Sequence, residues 1–286
     1  MECPVCGFNK SINLENYQKH YLSKCLKCSL VFSNKKPTKK ELDLVYSNYN
    51  YEIDSPTEFS LLKIRETTKN LFSLNNPKNV LDVGCGEALF LDEFKKLGCE
   101  TFATEYDSRL SEIASRKGHS VVDMGLYPNF KNDTKIDMII FTEVIEHITE
   151  QRKCLSHFFD ILSDDGIIYI TTPNFSSLER RIFRDKWQYI CYPEHLCYFT
   201  VKSLDECMRR FGFKKIYNFT ENISVSAIQK YFSNSVDTNK TINQQNEIQK
   251  FSNNSRLFLF VKSQVNLFLK YTKLGSGIRA AYKKNN

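Results

Sequence analysis

The chain has 286 residues, 41% of them hydrophobic and 26% charged, with a formal net charge of +7. That length can bury a full core and leaves room for a large domain plus a small one. No apolar run approaches the ~20 residues of a membrane span, and so modest a charge permits acidic small molecules without demanding nucleic acid.

The opening residues Met1-Glu2-Cys3-Pro4 carry neither a basic stretch nor an apolar one, so no secretory signal is expected. Ten cysteines without such a signal point to the reducing cytoplasm, where cysteine serves as metal ligand, catalyst or small core residue. Four of them come first, as Cys3-Pro-Val-Cys6 and Cys25-Leu-Lys-Cys28. Two C-x-x-C pairs at this spacing match a tetrahedral zinc ribbon, a closed structural site with Zn2+ on four thiolates. His20 lies between the pairs and reads as a surface residue.

A helix is expected from Lys39, followed by a tyrosine-rich run through Tyr46, Tyr49 and Tyr51, then a helix over 59–74. From there strands and helices alternate. Strands are expected at 79–83, 100–105, 119–122, 136–141, 166–172 and 213–219, and helices at 87–97, 108–117, about 144–162 and 201–211. The alternation predicts an α/β fold, a mostly parallel, doubly wound sheet with helices on both faces. Residues 233–255 are rich in Asn, Gln and Ser and read as a polar insertion. After it, Leu257, Phe258, Val261, Val265, Phe268 and Leu269 line one helical face, and Ile278 to Tyr282 reads as a final strand.

The most informative stretch is Val80-Leu81-Asp82-Val83-Gly84-Cys85-Gly86-Glu87-Ala88. An apolar run ends in Asp and then in a Gly-x-Gly turn, as when a buried parallel strand delivers a side-chain-poor loop to a ligand. Glu105 ends the next apolar strand, ~20 residues on, where a carboxylate can take a ribose diol. The third glycine of a pyrophosphate-binding turn is absent, since position 89 is Leu. The segment resembles motif I of the class I S-adenosylmethionine (SAM)-dependent methyltransferases, with Ala88 at the third glycine position.

That resemblance implies SAM as cofactor in a seven-stranded, Rossmann-like domain. By position, Asp82, Gly84 and Gly86 would form the cofactor loop, Glu105 would accept from the ribose hydroxyls, and Asp123 from the adenine amino group. The final strand would pair antiparallel beside the strand at 213–219. The run Glu143-Val-Ile-Glu-His147 is similar to one in ubiquinone-biosynthesis-type and sugar methyltransferases, as is Pro193-Glu-His-Leu-x-x-Phe-Thr200. His147 reads either as a base one helical turn past Glu143 or as a helix-surface residue paired with it. Trp187, Tyr192 and His195 stand as substrate contacts, with His195 a second candidate base. Arg180, Arg181 and Arg184 either meet a phosphate or form a solvated face.

The order of these features resembles zinc-ribbon-bearing methyltransferases of sugars and surface polysaccharides. It implies a ribbon at 1–45, a helical connector at 46–76 and a methyltransferase domain at 77–286, acting on a sugar, nucleotide sugar or polysaccharide precursor. Two other readings stay open. One is an RNA methyltransferase gripping RNA with the ribbon, whose residues 1–45 carry eight Lys against four Asp/Glu. Against it, Phe-Thr-Glu-Val follows the strand at 136–141, where amino-nitrogen methylation of bases would need a Pro-Pro run. The other is a non-catalytic module meeting a partner or a membrane surface through its basic C-terminal end, which carries no Asp or Glu after Glu247.

Overall fold

A computed structural model describes residues 1–48, 56–123, 125–128, 134–222, 268–269 and 271–285. In chain order the elements are β1 (Ser11–Asn13), β2 (Leu22–Cys25), β3 (Val31–Ser33), α1 (Lys39–Asn48), α2 (Glu58–Asn75), β4 (Asn79–Val83), α3 (Leu89–Lys96), β5 (Glu100–Thr104) and α4 (Ser108–Arg116). They continue with β6 (Ser120–Asp123), β7 (Ile136–Thr142), α5 (Gln151–Ile161), β8 (Leu162–Pro173), α6 (Leu178–Phe183), β9 (Cys197–Tyr198), α7 (Val201–Arg210), β10 (Phe213–Glu221) and β11 (Gly277–Lys284).

The larger sheet has seven strands in the order β6-β5-β4-β7-β8-β11-β10. The pairs among β6, β5, β4, β7 and β8 are parallel, while β11 runs antiparallel to both β8 and β10. The last strand thus sits beside β10, as expected, and fills the gap between it and β8. Alternate residues of each central strand enter opposite layers, as a period of two dictates. Leu81, Val83, Ile139, Phe141, Ile168 and Ile170 face one core with α5, α7 and part of the ribbon. Val80, Met138, Ile140, Ile167 and Tyr169 face the other, with Leu71 of α2 and Leu91 and Phe94 of α3. Chain direction across the sheet reverses between β4 and β7, and open α/β sheets bind ligands at the carboxyl ends beside such a reversal.

The smaller sheet has the order β1-β2-β3-β9. Its fourth strand comes from residues 197–198, far along the chain from the first three. Cys3, Cys25 and Cys28, with Phe32 of β3, share one apolar core with Ile145, Ile148, Cys197 and Phe199.

One expected element differs. The helix foreseen over 144–162 is two pieces, a 3-10 turn at Ile145–His147 and then α5. Glu143 has φ +53°, which no α-helix accommodates, and the buried Gln151 amide donates to the carbonyls of Ile145 and Ile148. Glu143 and His147 therefore do not share a helix face. The polar insertion at 233–255, and the apolar face beyond it apart from Phe268 and Leu269, lie outside the described residues.

Candidate active site

Strand β4 delivers Asp82 and then the glycine turn. Gly84 has φ +70°, and an added Cβ would stand 2.8 Å from Cγ2 of Val144. Both the conformation and the space demand glycine. Gly86 has φ +53° and no atom of the described residues within 4 Å of the Cβ position, so the loop is open there. The Gly84 and Cys85 amides both donate to the Thr104 carbonyl, at 2.9 and 3.1 Å, which ties the turn to β5. The Gly86 amide donates to Glu105 Oε2 at 2.8 Å, and the Asp107 amide to Oε1 at 3.0 Å. Glu105 is therefore fixed under the loop with lone pairs left on both oxygens.

Asp82 is 2% exposed, and its Oδ1 has no hydrogen-bond partner among the described residues. Burial, reinforced by the nearby Glu105 charge, pushes its pKa up to about 8. A buried carboxyl without a counter-charge, beside an open glycine turn, would ionise once a cationic ligand group settled against it. Asp123 stands apart. It is exposed, and its Oδ1 accepts from the Gly125 amide at 3.1 Å, which shapes the turn after β6.

A cavity of about 830 Å³ opens at these strand ends. Gly84, Thr104, Glu105, Tyr106, Gly125 and Leu126 line one part of it. Glu143, Glu146, His147, Gln188, Tyr189, Cys191, Glu194 and His195 line another, and Lys39 and Leu42 of α1 also border it.

Four titratable groups gather at the second part. Glu143 is exposed to the cavity, but the dense walls raise its pKa, opposed by a hydrogen bond from Thr171 Oγ1 at 2.7 Å. Glu146 is 1% exposed. Burial, reinforced by the Glu143 charge, pushes its pKa well above the usual carboxylate range. Its Oε2 accepts from Thr172 Oγ1 at 3.0 Å, while Oε1 has no hydrogen-bond partner among the described residues. His147 Nδ1 lies 3.0 Å from the Glu194 carbonyl oxygen. A carbonyl only accepts, so Nδ1 carries the proton and Nε2 keeps its lone pair. Burial lowers the His147 pKa and keeps the ring neutral. The His195 ring meets that of His147 edge-on at 4.6 Å, and burial with the His147 neighbour draws its pKa down to about 4. Ligating atoms of Glu146, His147 and His195 all lie within 4.8 Å of one another.

Two expected substrate contacts lie elsewhere. Trp187 is 1% exposed and packs against Phe175 in a core that includes Tyr17 and Val31. Tyr192 stacks edge-on with Tyr21, outside the cavity lining. Their loop neighbours Gln188, Tyr189, Cys191 and Glu194 line the cavity instead. The loop itself was recognisable in the sequence; which of its residues point inward depends on turns that no local pattern encodes. Lys39 and Leu42 had no sequence signal. Arg180 is structural: its guanidinium packs on the Phe175 ring, and its Nε donates to the Phe175 carbonyl at 2.6 Å. Arg181 and Arg184 are exposed.

The four N-terminal cysteines converge. Sγ atoms of Cys3 and Cys28, and of Cys6 and Cys25, are 3.5 Å apart, and all four lie within 4.8 Å of one another. A tetrahedral zinc with ~2.3 Å bonds to sulfur needs similar spacing. The Lys27 amide points at Cys25 Sγ at 3.4 Å, and Gly7 and Ser29 turn the two knuckles with φ +70° and +61°. The Cys28 hydrogen bond draws the Cys3 thiol down to about 5, while the same bond raises Cys28 and burial raises Cys6, so without a metal the thiolate character is concentrated on Cys3. His20 is not part of the cluster.

Residues 58–218 match the methyltransferase-domain family Methyltransf_23. A ubiquinone biosynthesis O-methyltransferase of Bradyrhizobium sp. is 29% identical over 119 residues, covering 38% of this chain and 46% of that protein. A mitochondrial ubiquinone biosynthesis O-methyltransferase of Dictyostelium discoideum is 26% identical over 113 residues, covering 34% of this chain and 35% of that protein. The chain thus spans about a third to a half of the length of these curated relatives. Among solved structures, a SAM-dependent methyltransferase from Archaeoglobus fulgidus superposes with a TM-score of 0.52 at 18% identity, covering 78% of this chain and 94% of that one. The plantazolicin methyltransferase BpumL, in complex with SAH, gives 0.50 at 16% identity over 87% and 91%. The chain belongs to the methyltransferase-domain family Methyltransf_23 and has the class I methyltransferase fold.

Proposed function

We propose that this chain is a SAM-dependent methyltransferase acting on a small polar acceptor, a sugar, nucleotide sugar or surface-polysaccharide precursor, with His147 as the base. The observation that carries the reading is the His147 ring: neutral, locked by Glu194 with its Nε2 lone pair free, at the carboxyl end of β7 and on the cavity wall. An alcohol must lose its proton as it gains a methyl group, and a positioned imidazole suits that transfer. Gln188, Tyr189, Glu143 and Glu194 offer the hydrogen-bonding wall a polyol needs, and Lys39 is the one cationic side chain lining the cavity among the described residues. His195 holds the His147 ring from the side and is the second candidate base.

When bound, SAM supplies an electrophilic methyl group on sulfur. Asp82 and the Gly84–Gly86 turn would hold its amino-acid end, with Asp82 facing the ammonium, and Glu105 would take the ribose. The turn of Gly125 and Leu126, shaped by Asp123, lines the cavity and would bound the adenine end. Cys3, Cys6, Cys25 and Cys28 would hold a structural zinc. Four thiolates leave no open position, so that metal takes no part in the chemistry.

No helix among the described residues is long and apolar enough to cross a membrane. We expect the acceptor to be met in solution in the cytoplasm. Incubation with methyl-labelled SAM and separate pools of nucleotide sugars and of RNA tests the reading. Label in the sugar pool supports it, label in RNA replaces it with the nucleic-acid reading, and SAM binding with no transfer to either favours a binding module.

A further inference from the structure

We propose that the cysteine ribbon is the positioning element of the acceptor side, and that Tyr198 is the residue through which it fixes His195. The proposal rests on the zinc and His147/His195 assignments above and goes beyond both.

After His195 the chain does not return to the large sheet. It enters β9, which pairs with β3 of the ribbon in the register Val31 to Tyr198 and Phe32 to Cys197. The Ser33 amide adds a hydrogen bond to the Leu196 carbonyl at 2.8 Å. On its other edge the same strip holds the histidine turn. The Leu196 amide donates to the Glu146 carbonyl at 2.8 Å, and the Glu194 carbonyl accepts from His147. Residues 194–198 are thus stitched to the ribbon on one side and to the 145–147 turn on the other.

Tyr198 joins the two. Its ring is 3% exposed and packs in one core with Tyr17, Leu22 and Val31 of the ribbon. Its hydroxyl donates to the His195 carbonyl at 3.1 Å. The ring of His195 then lies parallel to Tyr189, at 6.2 Å and 12°, and edge-on to His147. Nothing from the glycine loop takes part in this chain of contacts.

A second tie runs to α1. Lys35 lies over the rings of Tyr21 and Tyr192, at 5.0 and 4.9 Å, and pairs with Glu41 in the first turn of α1 at 2.9 Å. That helix carries Lys39 and Leu42 to the cavity. The ribbon therefore braces two walls of the acceptor space. Strands of three and four residues cannot hold such a module together alone, and its order is coupled to its metal. Loss of metal should displace His195 and His147 while leaving SAM binding intact.

Ring resonances of the five histidines, in full-length protein labelled with 15N-histidine and assigned by His→Gln spectra, test this directly. One arm removes metal with a strong chelator. The other is Tyr198→Phe, which deletes a single hydrogen bond and keeps the ring. His119, buried between Thr101 and Asp92, is the internal control. In both arms the His195 and His147 signals should shift or broaden, His119 should hold, and SAM affinity by calorimetry should change less than twofold. Metal removal that leaves His195 and His147 unmoved overturns the proposal, as does a Tyr198→Phe spectrum matching the parent. If chelation disturbs His119 as well, or the purified protein holds no metal, the Tyr198→Phe arm alone decides the coupling. Absence of metal refutes the zinc assignment, and absence of SAM binding refutes the cofactor site, each separately from this proposal.

Discussion

Gly84→Ala should cost far more stability than Gly86→Ala, although the two glycines share one turn. At Gly84, with φ +70°, alanine enters the left-handed region at about 1–2 kcal/mol. Its Cβ would also stand 2.8 Å from Val144 Cγ2, and forcing side chains apart in a packed site adds about 1–3 kcal/mol. The sum, about 2–5 kcal/mol, corresponds to a drop in Tm of roughly 3–8 °C for a chain of this size. At Gly86 the left-handed cost remains, but no atom of the described residues stands within 4 Å, so about 1–2 kcal/mol is expected. The methyl of Gly86→Ala would instead occupy space open to the cofactor, and SAM affinity should fall at least tenfold. Urea unfolding and calorimetry measure the two effects. The double variant Gly84→Ala/Val144→Ala isolates the collision: Val144→Ala should restore part of the stability lost at Gly84, giving a coupling energy of about 1 kcal/mol or more. Equal losses at the two glycines, with no coupling to Val144, would refute the steric reasoning.

Asp82, held near pKa 8 without a ligand, should ionise when an ammonium settles beside it, so SAM binding at pH 7 should release close to one proton. Binding enthalpies in phosphate and Tris should then differ, and Asp82→Asn should abolish the difference; equal enthalpies in the parent protein would remove Asp82 from the ammonium site. Cys25→Ser should lose both the bound metal, by elemental analysis, and protease resistance of the N-terminal residues. His195 should make the fold acid-sensitive. Its pKa falls from 6.5 to about 4 on folding, so the unfolded chain binds more protons between those values and stability drops as pH falls through that window. At ~1.4 kcal/mol per unit the loss approaches about 3 kcal/mol by pH 4, and His195→Gln should remove it. Because the raised pKa values of Asp82 and Glu146 act in the opposite sense, the comparison of parent and variant between pH 7 and pH 4 is the test.

Much of the fold was legible because local pattern and tertiary role coincide. The strand at 79–83 is where the apolar run placed it, since a strand buried on both faces must be apolar throughout. The glycine turn was legible for a similar reason: positive φ at Gly84 and Gly86 leaves a mark in residue type. The helix over 144–162 misled because Val144 to Ile148 has helix-compatible spacing, while Glu143 takes a left-handed conformation that residue type does not announce. The pairing of β3 with β9 joins residues more than 160 positions apart, and only the folded chain brings them together. Burial of Trp187 follows from that docking. In isolation its loop offers an aromatic residue beside a histidine, which fits a substrate wall and a packed core equally well. Asp123 is the last residue of β6, not the first residue after the strand as expected, and which way it faces depends on the following turn.

The central claim, a histidine-assisted methyl transfer to a hydroxyl-bearing acceptor, turns on one comparison. With whichever sugar-type acceptor takes label from SAM, turnover of His147→Ala is measured against the parent, alongside SAM affinity for each. General base catalysis contributes roughly 10²–10⁴-fold, so turnover should fall by that factor while SAM affinity stays within twofold. Near-parental turnover in His147→Ala, with SAM still bound, would contradict the account.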